Sequence, residues 1–179
     1  MDPTTFKYCP YYCEENIWHL CQEKDLKNQS SKVIFISNEA KQCAFSKQRA
    51  SEGGFIVWDY HVILFTVGMI WDLDTTLPCP SPLKIYLEQT FPLGLSTGYQ
   101  PVFRVVDSEE FVPVFASDRS HMMNQLGEYN APPPWPVIGV EEGSNLARFI
   151  DMNDLFIGTI YRDISNLIGS FNEKKTINR

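Results

Sequence analysis

The stretch that most constrains the fold of this chain runs from Phe55 to Asp74. It is the most apolar part of the sequence, yet it also contains His61, Asp59 and Asp72. Ionisable side chains are rarely kept within an apolar run unless they are paired or used in function. The stretch therefore predicts either a satisfied core histidine or a His–Asp pair with a chemical role.

The pattern of this stretch is typical of a β-hairpin. Two β-type segments are predicted, 55–66 and 69–74. They flank Val67-Gly68, where glycine supplies the positive φ that tight hairpins require. A two-residue loop places His61 opposite Asp74, whereas a four-residue loop places it opposite Asp72. The pattern leaves the partner open, but either pairing gives the orienting half of a nucleophilic triad.

Composition limits the class of protein. The chain has 179 residues, of which 44% are hydrophobic and 21% charged, so we expect one globular domain over residues 1–179. A net charge of −7 without a basic patch argues against nonspecific nucleic-acid binding. Neither a signal peptide nor a membrane span is predicted, so we expect a soluble protein with no membrane partner. An odd number of cysteines, five, indicates free thiols in a reducing, cytoplasmic compartment.

The remaining elements follow from local signals. Helices are predicted from Cys13 to about 25, from Pro82 (capped by Ser81) through Thr90, and over 145–150 and 164–171. Strands are predicted over 32–37 and 101–106, and 40–48 is left undecided between strand and turn. Residues 116–136 are predicted to form a long ordered loop, and loops of this kind are often functional.

Cys13 is the candidate nucleophile. At a helix N-terminus the dipole and free backbone N–H groups favour negative charge, whereas Glu14 and Glu15 oppose it. A partner imidazolium is therefore required, and His61 is its predicted source. The run from Cys9 to Cys13 is one residue too long for a redox Cys-x-x-Cys motif.

The sequence gives less support for metal, serine-hydrolase or phosphate-binding sites than for a thiol nucleophile. The sequence has no Cys-x-x-Cys or His-x-x-x-His pair, so no metal site is predicted, and no cofactor is expected. It also lacks the glycine-flanked serine of a hydrolase elbow and a glycine-rich phosphate loop. The order Cys, His, Asp along the chain matches papain-like and transglutaminase-like thiol hydrolases, although order alone is weak evidence for function.

Six short motifs occur together in one order. They are Tyr12–Trp18 (YCEENIW), Phe35–Glu39 (FISNE), Trp58–Val62 (WDYHV), Asp72–Asp74 (DLD), Phe115–Met122 (FASDRSHM) and Pro132–Pro136 (PPPWP). This set strongly resembles the protein N-terminal glutamine amidohydrolase family, over most of the chain.

The resemblance implies an α+β fold of papain/transglutaminase type, with an antiparallel sheet packed against an N-terminal helix that carries the nucleophile. It implies a monomeric cysteine hydrolase that converts an N-terminal Gln of a protein to Glu. The product would pass to arginyl-transfer machinery in the N-degron pathway, with the cytoplasm as the expected compartment and the nucleus as a second candidate.

By motif, the resemblance implies a triad of Cys13, His61 and Asp72. It thereby favours the longer hairpin loop, or a bulge, over the two-residue loop. The free α-ammonium of the substrate requires acidic partners, and Glu14, Glu15 and Asp118 are the candidates. The alternatives are a thiol peptidase or transglutaminase, and a noncatalytic module that binds peptides through 131–136.

Overall fold

A six-stranded antiparallel sheet forms the centre of the fold. The computed structural model describes residues 5–51, 53–91, 94–123, 127–128, 131–139 and 143–173. The described helices are α1 (Cys13–Leu20), α2 (Leu83–Thr90), α3 (Ser108–Val114), α4 (Leu146–Ile150) and α5 (Ile164–Glu173). The strands are β1 (Ser31–Ser37), β2 (Cys43–Ser46), β3 (Phe55–Trp58), β4 (Tyr60–Thr66), β5 (Met69–Trp71), β6 (Ser81–Pro82), β7 (Val102–Asp107) and β8 (Thr159–Tyr161). The α+β class is confirmed.

Both faces of the large sheet are covered. Its order is β6-β5-β4-β1-β7-β8, and β2 and β3 form a separate two-stranded sheet. Val33 and Phe35 of β1 pack with α1, α3 and α4, whereas Ile34 and Ile36 pack with α2, α5 and β2. A strand buried on both faces reads as a continuous apolar run, which is why β1 was predictable. None of the described helices is long and apolar enough to cross a membrane.

The predicted strand over 55–66 is wrong, because the chain changes sheets at Asp59. β3 pairs with β2, whereas β4 pairs with β1 and β5. The Asp59 carboxylate accepts the backbone N–H of Tyr60 at 3.0 Å, a local bond of the kind that competes with a strand ladder. As a result, His61 is the second residue of a new strand.

The hairpin between β4 and β5 has the shorter loop, so the longer loop or bulge is wrong. Thr66 pairs with Met69 across Val67 and Gly68, whose φ values are 50° and 81°. Positive φ at both central residues matches the twist of a tight two-residue hairpin. This register would set His61 opposite position 74 if β5 continued, but β5 ends at Trp71.

The end of β5 has a local cause. The Asp72 carboxylate accepts the backbone N–H of Asp74 at 2.9 Å, which turns the chain out of the sheet. The predicted strand 69–74 is therefore too long by three residues. Other elements also differ. α1 ends at Leu20 and is therefore shorter than predicted, and neither α3 nor β8 was predicted. Ser81–Pro82 form strand β6 immediately before α2.

Arg104 fixes the segment that follows α4. It lies on β7 with no exposed surface, and its guanidinium donates hydrogen bonds only to backbone carbonyls in the described chain. The acceptors and distances are Phe149 (2.9 Å), Asp151 (2.6 Å), Asp154 (2.6 Å) and Ile157 (2.6 Å). One side chain therefore satisfies four carbonyls of a segment that has little regular structure.

Replacement of Arg104 by methionine is expected to lower the free energy of unfolding by about 3–5 kcal/mol, because buried carbonyls lose their donors. Denaturant titration measures the change. Arg148→Met is the matched control, since that side chain is about half exposed and pairs with Asp154 at the surface. The control should have a much smaller effect, because ion pairs at the surface contribute little to stability. Equal losses for both variants would contradict this role for Arg104.

Candidate active site

A cavity of about 350 Å³ opens where the start of α1, the start of β4 and the loop before residue 123 meet. Cys13 and His61 both line it, although they lie 48 positions apart in the sequence. Its other lining residues are Tyr8, Pro10, Tyr11, Arg49, Ala50, Trp58, Asp59, Tyr60, Asp74, His121 and Met122. The predicted nucleophile and base therefore share one cavity.

Cys13 is the first residue of α1 and is 7% exposed. Its Sγ lies 3.7 Å from Oε2 of Glu14, in a geometry in which the thiol donates to the carboxylate. Burial, followed by the charges of Glu14 and Asp74, raises the pKa of the Cys13 thiol well above its usual value, although the Val62 backbone opposes the shift. The empty site therefore favours the thiol over the thiolate.

His61 is held in a fixed orientation. Its ring packs edge-on against Phe45 and stacks near Trp58, and its Nε2 lies 2.9 Å from Oδ1 of Asp72. This contact leaves Nδ1 as the ring nitrogen that does not face Asp72. Burial opposes protonation of the ring, but Asp72 outweighs burial and raises the pKa of His61.

The Asp72 carboxylate is contacted by four hydrogen-bonding groups. Besides Nε2 of His61, its carboxylate accepts bonds from the Asp74 backbone N–H, from Gln48 at 2.9 Å and from Tyr86 at 2.8 Å. Burial opposes ionisation, yet His61 and these donors lower the pKa of Asp72 below its usual value. Oxygen and nitrogen atoms of His61, Asp72 and Asp74 lie within 4.8 Å of one another, as in some metal sites. The four donors instead identify Asp72 as an anion that orients His61.

A second polar cluster, Glu14–Tyr60–His121, touches the nucleophile. The Tyr60 hydroxyl donates to Oε2 of Glu14 at 3.0 Å and lies 3.1 Å from Nε2 of His121. The same nitrogen lies 3.3 Å from Oε1 of Glu14. Sequence reasoning did not assign His121 to the site, although the motif Phe115–Met122 contains it, because no local spacing connects this loop to α1.

None of the three predicted ammonium-binding residues is part of the cavity lining, although Glu14 contacts Cys13. Glu15 is completely buried, and its carboxylate binds Arg119 at 2.7 and 2.8 Å and the Trp135 indole at 2.6 Å. Asp118 accepts the Ser120 backbone N–H at 2.9 Å, and hydrogen bonds from Ser120 lower its pKa. Neither residue is part of the cavity wall. Both carboxylates therefore hold loop residues of the segment 118–135.

Comparison with known proteins identifies the family of this chain. The family model for N-terminal glutamine amidase matches residues 8–176, which is nearly the whole chain. The chain belongs to the N-terminal glutamine amidase family. The resemblance predicted from six motifs is confirmed.

Curated relatives of this N-terminal glutamine amidase bear the name protein N-terminal glutamine amidohydrolase. The Arabidopsis thaliana protein is 40% identical over 173 residues, covering 86% of this chain and 78% of the relative. The Bos taurus protein is 38% identical, covering 89% and 84%, and the Homo sapiens protein is 39% identical, covering 82% and 78%. The family is one of hydrolases, so this chain is an enzyme, and the alternative of a noncatalytic module is wrong.

Proposed function

We propose that this enzyme deamidates an N-terminal Gln of peptides and proteins to Glu and releases ammonia. One observation carries the proposal: the Asp72-bound His61 and Cys13 line the same cavity. This arrangement supplies a nucleophile, a base and a group that orients the base. The names of the relatives supply the substrate class.

The proposed mechanism proceeds through a thioester. Cys13 transfers its proton to Nδ1 of His61, and the sulfur attacks the side-chain amide carbon of the substrate Gln. His61 returns the proton to the leaving nitrogen, and the C–N bond breaks to release ammonia. Water, deprotonated by His61, then attacks the thioester to give Glu and the free thiol. Asp72 stays ionised throughout and stabilises the imidazolium form of His61.

The start of α1 is the proposed site for the oxyanion. The first N–H groups of a helix have no partner within that helix and carry the positive end of its dipole. Cys13 occupies the first position, so its own N–H is one of these groups and is the proposed donor to the tetrahedral oxygen.

Recognition of the α-ammonium is assigned to the carboxylates that surround the cavity. Asp59 and Asp74 line it directly, and Tyr8 holds Asp74 through a hydrogen bond of 2.6 Å. Glu14 lies behind Cys13 and adds negative charge. Selection against Asn requires only one methylene of pocket depth, which typically contributes about 1–3 kcal/mol.

Acetylation of the substrate's α-amine is expected to reduce turnover by about a hundredfold or more, because the cavity carboxylates lose their charged partner. Ammonia release from Gln-starting peptides measures the effect. The matched control is the same peptide acetylated on an internal lysine, which should react normally. Comparable turnover of the α-acetylated peptide would contradict ammonium recognition.

The same assay separates the rival thiol chemistries. Mass spectrometry of the products should show the mass change of deamidation with the peptide chain intact. A shortened peptide would indicate a thiol peptidase, and a cross-linked product would indicate a transglutaminase. A peptide whose only Gln is internal should remain unchanged.

The cellular role follows as part of the proposal. A monomeric single-domain enzyme of papain/transglutaminase type would pass the Glu exposed by deamidation to arginyl-transfer machinery. The cytoplasm is the expected compartment, and the nucleus is a second candidate. All five cysteines are free in the structure, which fits a reducing compartment.

A further inference from the structure

The Glu14–Tyr60–His121 cluster places a carboxylate beside the Cys13 thiol, which is unusual for a nucleophile. A nucleophilic thiol normally lies beside positive charge, which lowers its pKa. Here a carboxylate, that of Glu14, lies 3.7 Å from the sulfur and has no exposed surface of its own. A full negative charge at this distance in a buried site strongly disfavours a thiolate.

The carboxylate of Glu14 is held in position by two neighbouring side chains. Tyr60 donates to Oε2, the oxygen that faces Cys13, and His121 lies beside Oε1. Burial opposes protonation of His121, but Glu14 outweighs it and raises the pKa of the ring. Burial and the Glu14 charge together raise the pKa of Tyr60 well above its usual value, so its hydroxyl remains a donor.

The charge around Cys13 comes from several elements. The groups that face the thiol or line its cavity are Glu14 of α1, Tyr60 and His61 of β4, Asp72 and Asp74 after β5, Asp59 before β4, Arg49, and His121 of the loop. Carboxylates outnumber the permanent cations among them. The cavity is therefore a region of negative potential that attracts a cation and suppresses a thiolate.

We propose that Glu14, held by Tyr60 and His121, keeps the Cys13 thiol protonated while the cavity is empty, and that the α-ammonium of a bound substrate releases it. The bound cation offsets the carboxylate charge, so the thiol proton can pass to Nδ1 of His61. The identity of the cation rests on the proposed function. An internal Gln carries no ammonium, so it would fail both to bind tightly and to activate the nucleophile.

The test follows the ionisation of Cys13 directly. Ultraviolet thiolate absorbance is recorded against pH, and the spectrum of Cys13→Ser is subtracted to remove the other four cysteines. The ligand is a norleucine-starting peptide, which has an ammonium and a side chain of suitable length but no amide to attack. Its acetylated form is the control ligand.

Glu14→Gln keeps the size of the side chain and removes its charge. The variant is expected to show about a tenfold higher thiolate fraction than the native enzyme at neutral pH. His121→Gln removes the partner cation and should move the Cys13 transition to higher pH. Glu88→Gln, an exposed glutamate on α2, is the matched control and should titrate like the native enzyme.

The free-amine peptide should raise the thiolate fraction of the native enzyme severalfold, while the acetylated peptide should not. The response should be much smaller in Glu14→Gln. The inference is overturned if Glu14→Gln titrates like the native enzyme, or if both peptides act alike. These readings need no turnover, so failure of the proposed deamidation would appear separately, as absence of ammonia from Gln-starting peptides.

Discussion

Replacement of Cys13 by alanine is expected to abolish ammonia release from a Gln-starting peptide, with a fall in kcat of about 10⁴-fold or more. The variant should keep the helix and the cavity, but it removes the sulfur that is proposed to attack the amide carbon. Cys13→Ser should be nearly as inactive, because a hydroxyl is a far weaker nucleophile at neutral pH.

Cys9→Ser is the matched control for this experiment. Cys9 lies just before α1, and its backbone N–H and carbonyl bind the Asn16 side chain at 2.8 Å without using the thiol. This variant should retain activity within about threefold. Full activity of Cys13→Ala, or equal losses in both variants, would remove Cys13 from the proposed mechanism.

Asp72→Asn should lower kcat by about 10³- to 10⁴-fold, as in other enzymes in which the third triad member becomes an amide. The amide NH₂ can donate to Nε2 of His61, which places the ring proton on Nδ1, the nitrogen that must accept the Cys13 proton. The loss of the carboxylate also removes the charge that raises the pKa of His61. Activity should therefore fall at every pH, and the limb of the pH profile that reports His61 should also move to lower pH.

Asp74→Asn distinguishes the two aspartates of the hairpin end. Asp74 lines the cavity and contacts Asp72 only through its backbone N–H, which the variant keeps. It is expected to raise KM for Gln-starting peptides while kcat changes by less than about tenfold. If Asp74→Asn lost as much kcat as Asp72→Asn, the assignment of Asp72 as the orienting residue would fail.

The pairing of His61 with Asp72 shows where local pattern reasoning stops. Strand alternation and hairpin register allowed either Asp72 or Asp74 as the partner of His61. The two-residue turn that actually forms would have favoured Asp74. The selection of Asp72 depends on the point at which β5 ends, and on the Gln48 and Tyr86 side chains that hold the carboxylate. Those two donors come from distant segments, so the sequence near the hairpin contains no sign of them.

The two acidic residues after Cys13 also have partners that the local sequence does not predict. Glu14 and Glu15 look equivalent in sequence, since both lie in the first turn of α1 and both are completely buried. Successive helix positions point in directions about 100° apart. Glu14 consequently meets Tyr60 and His121 beside the nucleophile, whereas Glu15 meets Arg119 and Trp135 away from the cavity.

The sequence by itself determined the helix that begins at Cys13, the buried strand β1 and the family, and it located the turn at Val67-Gly68 without deciding the length of its loop. Each depends on local periodicity, on turn chemistry or on short motifs, which are properties of neighbouring residues. Strand pattern and spacing left the aspartate partner of His61 open, and only the family motif indicated Asp72. The tertiary structure decided the loop length, and it alone showed that a loop histidine, His121, lies against Glu14. Contacts between distant segments depend on how the sheet and its covering helices pack, and no spacing along the chain encodes that arrangement.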